Sequence, residues 1–194
     1  TISEANPHAV VLVMCLEFCS LHLQVSDEPD SIVANSLFAD GAACAIVSAR
    51  QPSPARPAYL VRGFHSAIIP SSEAHMAWEI GNHGFNMVLS SYVPDLIGAN
   101  VPSILEDMLG QSGYAAEDID AWAIHPGGRA ILDKIEASLP LKAPALDASR
   151  KVLRYFCYMS IAPVLLVLKH TLSPPPSPGP LTLAIVFGPG LTLE

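Results

Sequence analysis

The residues best suited to chemistry in this chain are a histidine and the glycines that follow it, in the run Ile-His-Pro-Gly-Gly at 124–128. A predicted buried strand over residues 120–124 gives way there to a predicted helix. Gly127 and Gly128 let the backbone approach a ligand closely, and the start of the helix offers unpaired N–H groups suited to an oxyanion or phosphate. His125 beside that site can donate a hydrogen bond to a carbonyl oxygen that gains negative charge, or keep a thiol ionised.

The same run also fits a purely structural interpretation. His125 would then be a core histidine bonded to a backbone carbonyl, and the glycines would serve only the turn. A second run, Phe-Gly-Pro-Gly at 187–190, has the same two interpretations, because such residues mark a tight turn in any sheet protein and also shape cavity walls. Spacing alone leaves both alternatives open.

Alternating strands and helices position these motifs. Short apolar runs predict strands buried on both faces at residues 10–15 and 42–47, with further strands at 59–69, 120–124 and 181–187. Residues 78–89 are expected to form a strand pair or an extended segment. Helical spacing predicts helices over residues 30–38, 94–109, 147–156 and 160–172, and one that begins after Gly128. The alternation predicts one α/β layered domain, residues 1–194, with a mixed β-sheet.

Composition excludes several function classes. The formal charge of −8 comes without a basic cluster, so nucleic acid is not expected as a partner. The apolar runs are far shorter than the roughly 18 to 20 residues that span a bilayer, and the first residues show no signal-peptide pattern. Neither the cysteines nor the histidines have metal-ligand spacing, so we predict no metal, and the cysteine pattern favours a reducing, cytoplasmic location. We also expect no cofactor. Cys15 and Cys44 are expected to be small core residues.

Three segments resemble the C-terminal half of the chalcone and stilbene synthases, the type III polyketide synthases. They are Leu-Phe-Ala-Asp-Gly-Ala-Ala at 37–43, Trp-Ala-Ile-His-Pro-Gly-Gly-Arg-Ala-Ile-Leu-Asp at 122–133 and Phe-Gly-Pro-Gly-Leu-Thr at 187–192. Residues 78–94 are more similar to the microbial alkylresorcinol and alkylpyrone branch than to the plant branch. The resemblance implies the C-terminal half of a thiolase-like fold and a homodimer. It also implies a cysteine, a histidine and an asparagine that decarboxylate malonyl-CoA and extend an acyl thioester held on the cysteine.

The resemblance implies roles for individual residues. His125 matches the catalytic histidine, Phe38 a gatekeeping phenylalanine at the cavity entrance, and Met87 the position of a second one in chalcone synthases. The substrates implied are malonyl-CoA and acyl-CoA. The other substrate-binding positions implied are Cys19, His22, Ser160, Gly127, Gly128, Ala130, Phe187, Gly188 and Pro189.

Two catalytic positions depart from the family pattern. The nucleophilic cysteine of the family lies on a helix before the strand matched by residues 10–15, so it would precede Thr1. Tyr158 stands at the position of the asparagine, and a phenol cannot copy both the donor and the shape of an amide. Three alternatives stay open: an acyltransferase half that needs an N-terminal half, a non-catalytic pseudoenzyme or truncated fragment that retains acyl or CoA binding or an assembly role, and an enzyme in which Cys157 or Cys19 has become the nucleophile.

The end of the chain and the strands that the sheet would lack suggest how the chain associates. Residues 191–194 look like the opening of a strand, which suggests a truncated C-terminus. A sheet without its neighbouring strands exposes backbone edges and apolar faces, and both promote association. We therefore expect a homodimer or pairing with an N-terminal half.

Overall fold

The computed structural model describes residues 2–51, 56–82, 84–172 and 180–194. Its α-helices are α1 (Ile2–Ala5), α2 (Pro29–Leu37), α3 (Val93–Ser112), α4 (Arg129–Ser138), α5 (Asp147–Phe156) and α6 (Ala162–Thr171). Its strands are β1 (Val10–Glu17), β2 (Gly41–Ser48), β3 (Ala67–Ile68), β4 (Met76–Gly81), β5 (Gly84–Leu89), β6 (Ala121–Ile124), β7 (Thr182–Ile185), β8 (Phe187–Gly188) and β9 (Thr192–Leu193). Short 3-10 turns cover Cys19–His22 and Ala116–Asp118.

The strands pair in both directions. β6 and β7 are parallel, with Ile124 opposite Ile185, whereas β1–β2, β4–β5 and β3–β9–β8 are antiparallel. This mixed pairing, interleaved with helices, confirms the predicted α/β class. Within the described residues the strands form four separate sheets and do not join into one continuous sheet.

The main core lies between two helices and the β6–β7 ladder. α3 buries Val93, Ile97, Val101, Leu105 and Leu109, which recur at intervals of four residues and so share one face. They pack with apolar residues of α4, β6 and β7 in a single cluster. Full burial of each such aliphatic side chain stabilises the fold by roughly 1.5–3 kcal/mol. Gly113, in the left-handed conformation at φ 73°, ends α3.

A second helical layer covers the opposite face of β6. Trp122 and Ile124 belong to the main core, whereas Ala123 packs with Val152 of α5 and Val167 of α6. Successive strand residues point to opposite faces, so one short strand serves both layers. α6 also contacts the antiparallel β1–β2 pair on its other side. The order of layers is therefore α3 and α4, β6 and β7, α5 and α6, then β1 and β2.

The predicted strands at 10–15 and 42–47 exist, but the prediction that both faces are buried is wrong. Leu12, Met14 and Ile46 are 61%, 65% and 74% exposed and point to the same face of the β1–β2 pair. α6 covers one face, and no described residues cover the other. Cys44 lies on this uncovered face and is exposed, whereas Cys15 lies on the opposite face and is only half-buried, so neither is the core residue expected from the sequence.

The long strand predicted at 59–69 is also wrong. Only β3 pairs, at Ala67–Ile68, and the residues from 59 to 66 have no regular secondary structure. The strand pair at 78–89 is confirmed as β4 and β5, and the predicted helices are confirmed with small shifts at their ends. Part of the predicted turn at 52–57 and most of the proline-rich connection at 173–180 lie outside the described residues. In the described part of the chain, no helix is long and apolar enough to cross a membrane.

Two glycines should respond in opposite directions to an added methyl group. A Cβ at Gly41 would clash with Met159 Sδ, whereas a Cβ at Gly110 in α3 would meet no atom within 4 Å. We expect Gly41→Ala to lower the free energy of unfolding by about 1–3 kcal/mol through overpacking. Gly110→Ala should raise it by about 0.5–1 kcal/mol through helix propensity. Urea denaturation of both variants tests this, and a Gly41→Ala variant as stable as the parent protein would contradict the close packing.

Candidate active site

His125 lies at the end of β6, where the layers of the fold meet. Its backbone N–H donates to the Ile185 carbonyl at 2.8 Å, which extends the parallel ladder by one residue. The preceding carbonyl, of Ile124, accepts a 2.7 Å hydrogen bond from the buried Ser149 hydroxyl of α5. Both bonds hold the strand end in place, so the position of His125 is fixed from the sheet and from α5.

The two glycines after His125 make the tight turn into α4. The Gly127 N–H donates to the His125 carbonyl at 3.0 Å, and a Cβ at Gly127 would lie 3.0 Å from Ile131 Cδ1 and 3.6 Å from His125 Cδ2. A larger residue would therefore crowd both the histidine ring and the helix. Gly128 is the N-cap of α4 and has no capping side chain. Unpaired N–H groups at a helix start favour negative charge.

The imidazole of His125 is buried and neutral. The residue is 2% exposed, and neither ring nitrogen has a hydrogen-bond partner among the described residues. Burial penalises the charged form and lowers the pKa of His125 to about 4. One nitrogen of a neutral imidazole donates and the other accepts. The side chain can thus offer a hydrogen bond without carrying a charge at neutral pH.

Tyr158 covers this imidazole. Its ring lies 5.5 Å from the His125 ring, centroid to centroid, in an edge-to-face arrangement, and 4.9 Å from the Phe38 ring. Burial first, and then the charges of Cys19 and Glu17, raise the pKa of the Tyr158 phenol to about 12. The phenol therefore stays protonated. A continuous stack runs from Phe38 through Tyr158 to His125.

The Tyr158 backbone is held on the segment that carries Phe38. The Tyr158 N–H donates to the Leu37 carbonyl at 3.1 Å, and the Ala39 N–H donates to the Tyr158 carbonyl at 2.8 Å. Cys157, just before it, adopts φ 59° and ψ −158°, a combination found almost only at glycine. The turn after α5 is thus strained at Cys157, the residue directly before Tyr158.

An open cavity lies on the other side of Phe38. Its volume is about 130 Å³, and four residues implied by the resemblance line it: Cys19, His22, Phe38 and Met87. Its lining among the described residues includes neither Tyr158 nor His125. Phe38 and Tyr158 therefore separate the cavity from the histidine.

Sequence reasoning missed most of the polar and aromatic lining of this cavity. Trp78 and Phe85 surround His22, with ring centroids 4.8 and 6.3 Å from that imidazole. Gln24 donates to the Phe85 carbonyl at 2.9 Å, and Asn35 donates to the Gln24 carbonyl at 2.8 Å. The strand pair was predicted, and its alternation could have placed Trp78 beside Met87. No local signal marks Gln24 or Asn35, which reach the cavity from loop and helix.

The remaining residues implied by the resemblance lie apart from the cavity lining. Phe187 is buried in the main core, Gly188 pairs with Thr192 in the β8–β9 hairpin, and Pro189 is exposed. Ser160 is half-buried with φ 48°, two residues past Tyr158. Ala130 is exposed in the first turn of α4.

The two cysteines considered as replacement nucleophiles differ in position. Burial, followed by the charges of Glu17 and Asp40, raises the pKa of the Cys19 thiol and so lowers its thiolate fraction. Cys157 is exposed at the C-terminal end of α5. Neither lies at the N-terminus of an α-helix, where a thiolate would be stabilised.

Titration of His125 predicts a loss of stability in acid. The unfolded chain takes up a proton near pH 6.5, while the folded chain resists it until about pH 4. The buried imidazole therefore leaves the free energy of unfolding unchanged above pH 6.5. It lowers that free energy, by about 3 kcal/mol in all, as the pH falls towards 4. Measuring unfolding free energy against pH should therefore show a shallower acid slope for His125→Gln. The exposed His170→Gln variant should keep the parent slope, and equal slopes for both variants would contradict the buried neutral imidazole.

Strain at Cys157 predicts a stabilising substitution. Cys157→Gly should raise the free energy of unfolding by about 1–3 kcal/mol, because glycine adopts this backbone conformation without a steric penalty. Cys157→Ala is the matched control: it also removes the thiol but keeps a Cβ, so it should bring no such gain. Chemical denaturation distinguishes the two, and equal stabilisation by alanine would show that the thiol, not the backbone, is the source.

Comparison with known proteins agrees with the motifs and the geometry. Residues 62–194 match the family of chalcone and stilbene synthases, C-terminal domain. The alpha-pyrone synthesis polyketide synthase-like protein Pks18 of Mycobacterium tuberculosis is 31% identical over 197 residues, which cover 98% of this chain and 50% of that protein. Probable polyketide synthase 1 of Dictyostelium discoideum is 30% identical over 200 residues, covering 100% of this chain and 6% of that protein. The chain thus spans half of one relative and a small part of the other.

Solved structures extend the similarity to the fold. The C-terminal type III polyketide synthase domain of Steely1, a type I/III hybrid from Dictyostelium, superposes with a TM-score of 0.88 at 31% identity, covering 99% of this chain and 54% of that one. The 1,3,6,8-tetrahydroxynaphthalene synthase of Streptomyces coelicolor A3(2) gives 0.86 at 31% identity, covering 100% and 55%. These matches confirm the thiolase-like C-terminal half. The chain belongs to the chalcone and stilbene synthase family, the type III polyketide synthases, as its C-terminal domain.

Proposed function

We propose that this chain supplies the histidine half of a type III polyketide synthase-like acyltransferase site, completed by a segment that carries a cysteine nucleophile. The reaction is the decarboxylative condensation of malonyl-CoA onto an acyl thioester. The observation that carries the proposal is the buried, neutral His125, with no partner for either ring nitrogen among the described residues, beside the Gly127–Gly128 turn.

The chemistry assigned to His125 is the stabilisation of negative charge on oxygen. When malonyl-CoA loses CO₂, the electron pair of the broken C–C bond moves onto the thioester carbonyl and forms an enolate. An imidazole N–H aimed at that oxygen stabilises the enolate, and a neutral donor in a water-poor site is effective in this role. The enolate carbon then attacks the acyl thioester carbonyl, and the cysteine thiolate leaves.

The cavity beside Phe38 supports binding of an acyl group. Phe38, Met87, Trp78 and Phe85 offer apolar surface, while Gln24 and Asn35 contribute a few polar groups. Mixed lining of this kind suits a ligand with a hydrocarbon part and a thioester head. We assign the starter acyl chain to this cavity and the CoA thioesters to the same site as substrates.

A second candidate function is binding without turnover. Tyr158 lies between Phe38 and His125 and closes the imidazole off from the cavity. An acyl group could then occupy the cavity without meeting the histidine. In this candidate the chain retains acyl or CoA binding, or an assembly role, and performs no condensation.

Complementation distinguishes the two functions. We would purify the chain with the N-terminal, cysteine-carrying half of a related type III synthase and measure CO₂ release from malonyl-CoA. Tyr158→Asn should raise release at least about tenfold, because it removes the cover and adds an amide donor. His125→Gln placed in that variant should lower release by about 10²–10³. Tyr155→Asn, at a tyrosine that is 71% exposed, is the matched control and should change nothing.

The opposite results favour the second candidate. Calorimetric binding of an acyl-CoA, together with no CO₂ release from either the parent complex or the Tyr158→Asn complex, would overturn the enzyme proposal. The remaining alternative is that another cysteine has become the nucleophile. Intact-mass measurement after incubation with acyl-CoA tests it. An acyl adduct on Cys19 or Cys157 would assign the nucleophile to this chain, and we expect none.

A further inference from the structure

The peptide group directly before the Cα atom of His125 is held at both of its polar atoms. Its carbonyl, that of Ile124, accepts the 2.7 Å hydrogen bond from Ser149 Oγ, and its N–H, that of His125, donates to the Ile185 carbonyl at 2.8 Å. A trans peptide group is planar, so hydrogen bonds on its two opposite sides fix the orientation of the plane. The next carbonyl, of His125 itself, accepts from the Gly127 N–H at 3.0 Å. These bonds together set the direction in which the His125 side chain leaves the strand.

The Ser149 hydroxyl bonds in an unusual way for a helical serine. Such hydroxyls commonly bond to the backbone of their own helix. In this chain four do so, each to a carbonyl three or four residues earlier: Ser36, Ser103, Ser138 and Thr171. Ser149, which is fully buried, donates instead to another element, β6. Val152, three residues later on the same face of α5, packs against Ala123 of β6, so this face is fitted to the strand that carries His125.

Arg150, the next residue of α5, contacts the helix that follows the His-Pro-Gly-Gly run. Its guanidinium lies 2.7 Å from an Asp133 carboxylate oxygen and 2.6 Å from one of Glu136, both on α4. α5 is therefore bonded to the strand before the run through Ser149 and to the helix after it through Arg150. The ion pairs are partly exposed and screened by salt, so they hold α4 less firmly than the buried hydrogen bond holds β6.

We propose that Ser149 and Arg150 are positioning residues for the His125 imidazole, and that Ser149 contributes most. Ser149 acts through the Ile124 carbonyl and Arg150 through α4, so neither is a catalytic residue. A misplacement of about 1 Å in a reacting group costs up to about a hundredfold in rate, and an active histidine therefore needs such support. The catalytic consequence rests on the function proposed above for His125, whereas the positioning is a property of the chain alone.

NMR spectroscopy of the chain alone tests the positioning. Ser149→Ala should shift the ring resonances of His125 and weaken the nuclear Overhauser contacts between its imidazole and the Tyr158 ring, whose centroids are 5.5 Å apart. Ser72→Ala is the matched control, because Ser72 is also fully buried and donates to a backbone carbonyl, that of Ile69, at 2.6 Å. The control should leave both signals unchanged. Unchanged signals in Ser149→Ala, or equal changes in both variants, would overturn the proposal.

Kinetics of the complemented Tyr158→Asn complex measure the catalytic consequence. Ser149→Ala should lower kcat for CO₂ release about tenfold and leave KM for malonyl-CoA within about twofold, because a displaced donor is lost mainly from the transition state. Arg150→Gln should lower kcat only about two- to threefold, since partly exposed ion pairs contribute little. Arg154→Gln, at an exposed position of α5, is its control and should change nothing.

The outcomes separate this proposal from the proposed function. An unchanged kcat for Ser149→Ala in an active complex would overturn the positioning role, even if that variant unfolds more easily than the parent protein. A complex without CO₂ release in any variant would count against the proposed function instead. The NMR comparison, which needs no activity, would then decide the positioning by itself.

Discussion

The parallel pairing of β6 with β7 is the constraint on which the rest of the site depends. The four residues of β6 divide their side chains between the two helical layers, and the hydrogen bond from His125 to Ile185 carries the ladder one step beyond the strand. The imidazole consequently emerges between α4 and the turn after α5, where water is excluded. Its burial, its neutrality and its contact with Tyr158 all follow from that position.

Burial at this point has opposing consequences. Removing the imidazole from water lowers its pKa and costs stability in acid, but it also gives the N–H a low-dielectric environment in which a hydrogen bond to a developing charge is strong. Tyr158 completes the exclusion of water with an aromatic edge. It also occupies the space through which a ligand in the cavity would approach. The same contact that keeps the site dry therefore keeps it closed.

The sequence predicted best what depends on neighbours along the chain. The apolar run before His125 and the glycines after it define a strand end and a turn, and both were found as expected. Burial of β1 and β2 was predicted wrongly because an apolar run does not reveal how many layers cover a strand, and here α6 covers one face only. Residues 59–66 have strand composition but no described strand to pair with. The sequence did not predict that Gln24 and Asn35 line the cavity, since their positions there arise from tertiary packing.

The two hydrogen bonds between Tyr158 and the residues on either side of Phe38 make the cavity wall and the cover of the histidine one mechanical unit. A ligand that displaces the Phe38 backbone must also move Tyr158, and with it the aromatic edge on His125. Occupancy of the cavity and the protonation of His125 are then thermodynamically linked: a ligand that loosens the cover raises the affinity of the imidazole for protons, and protonation favours that ligand in turn.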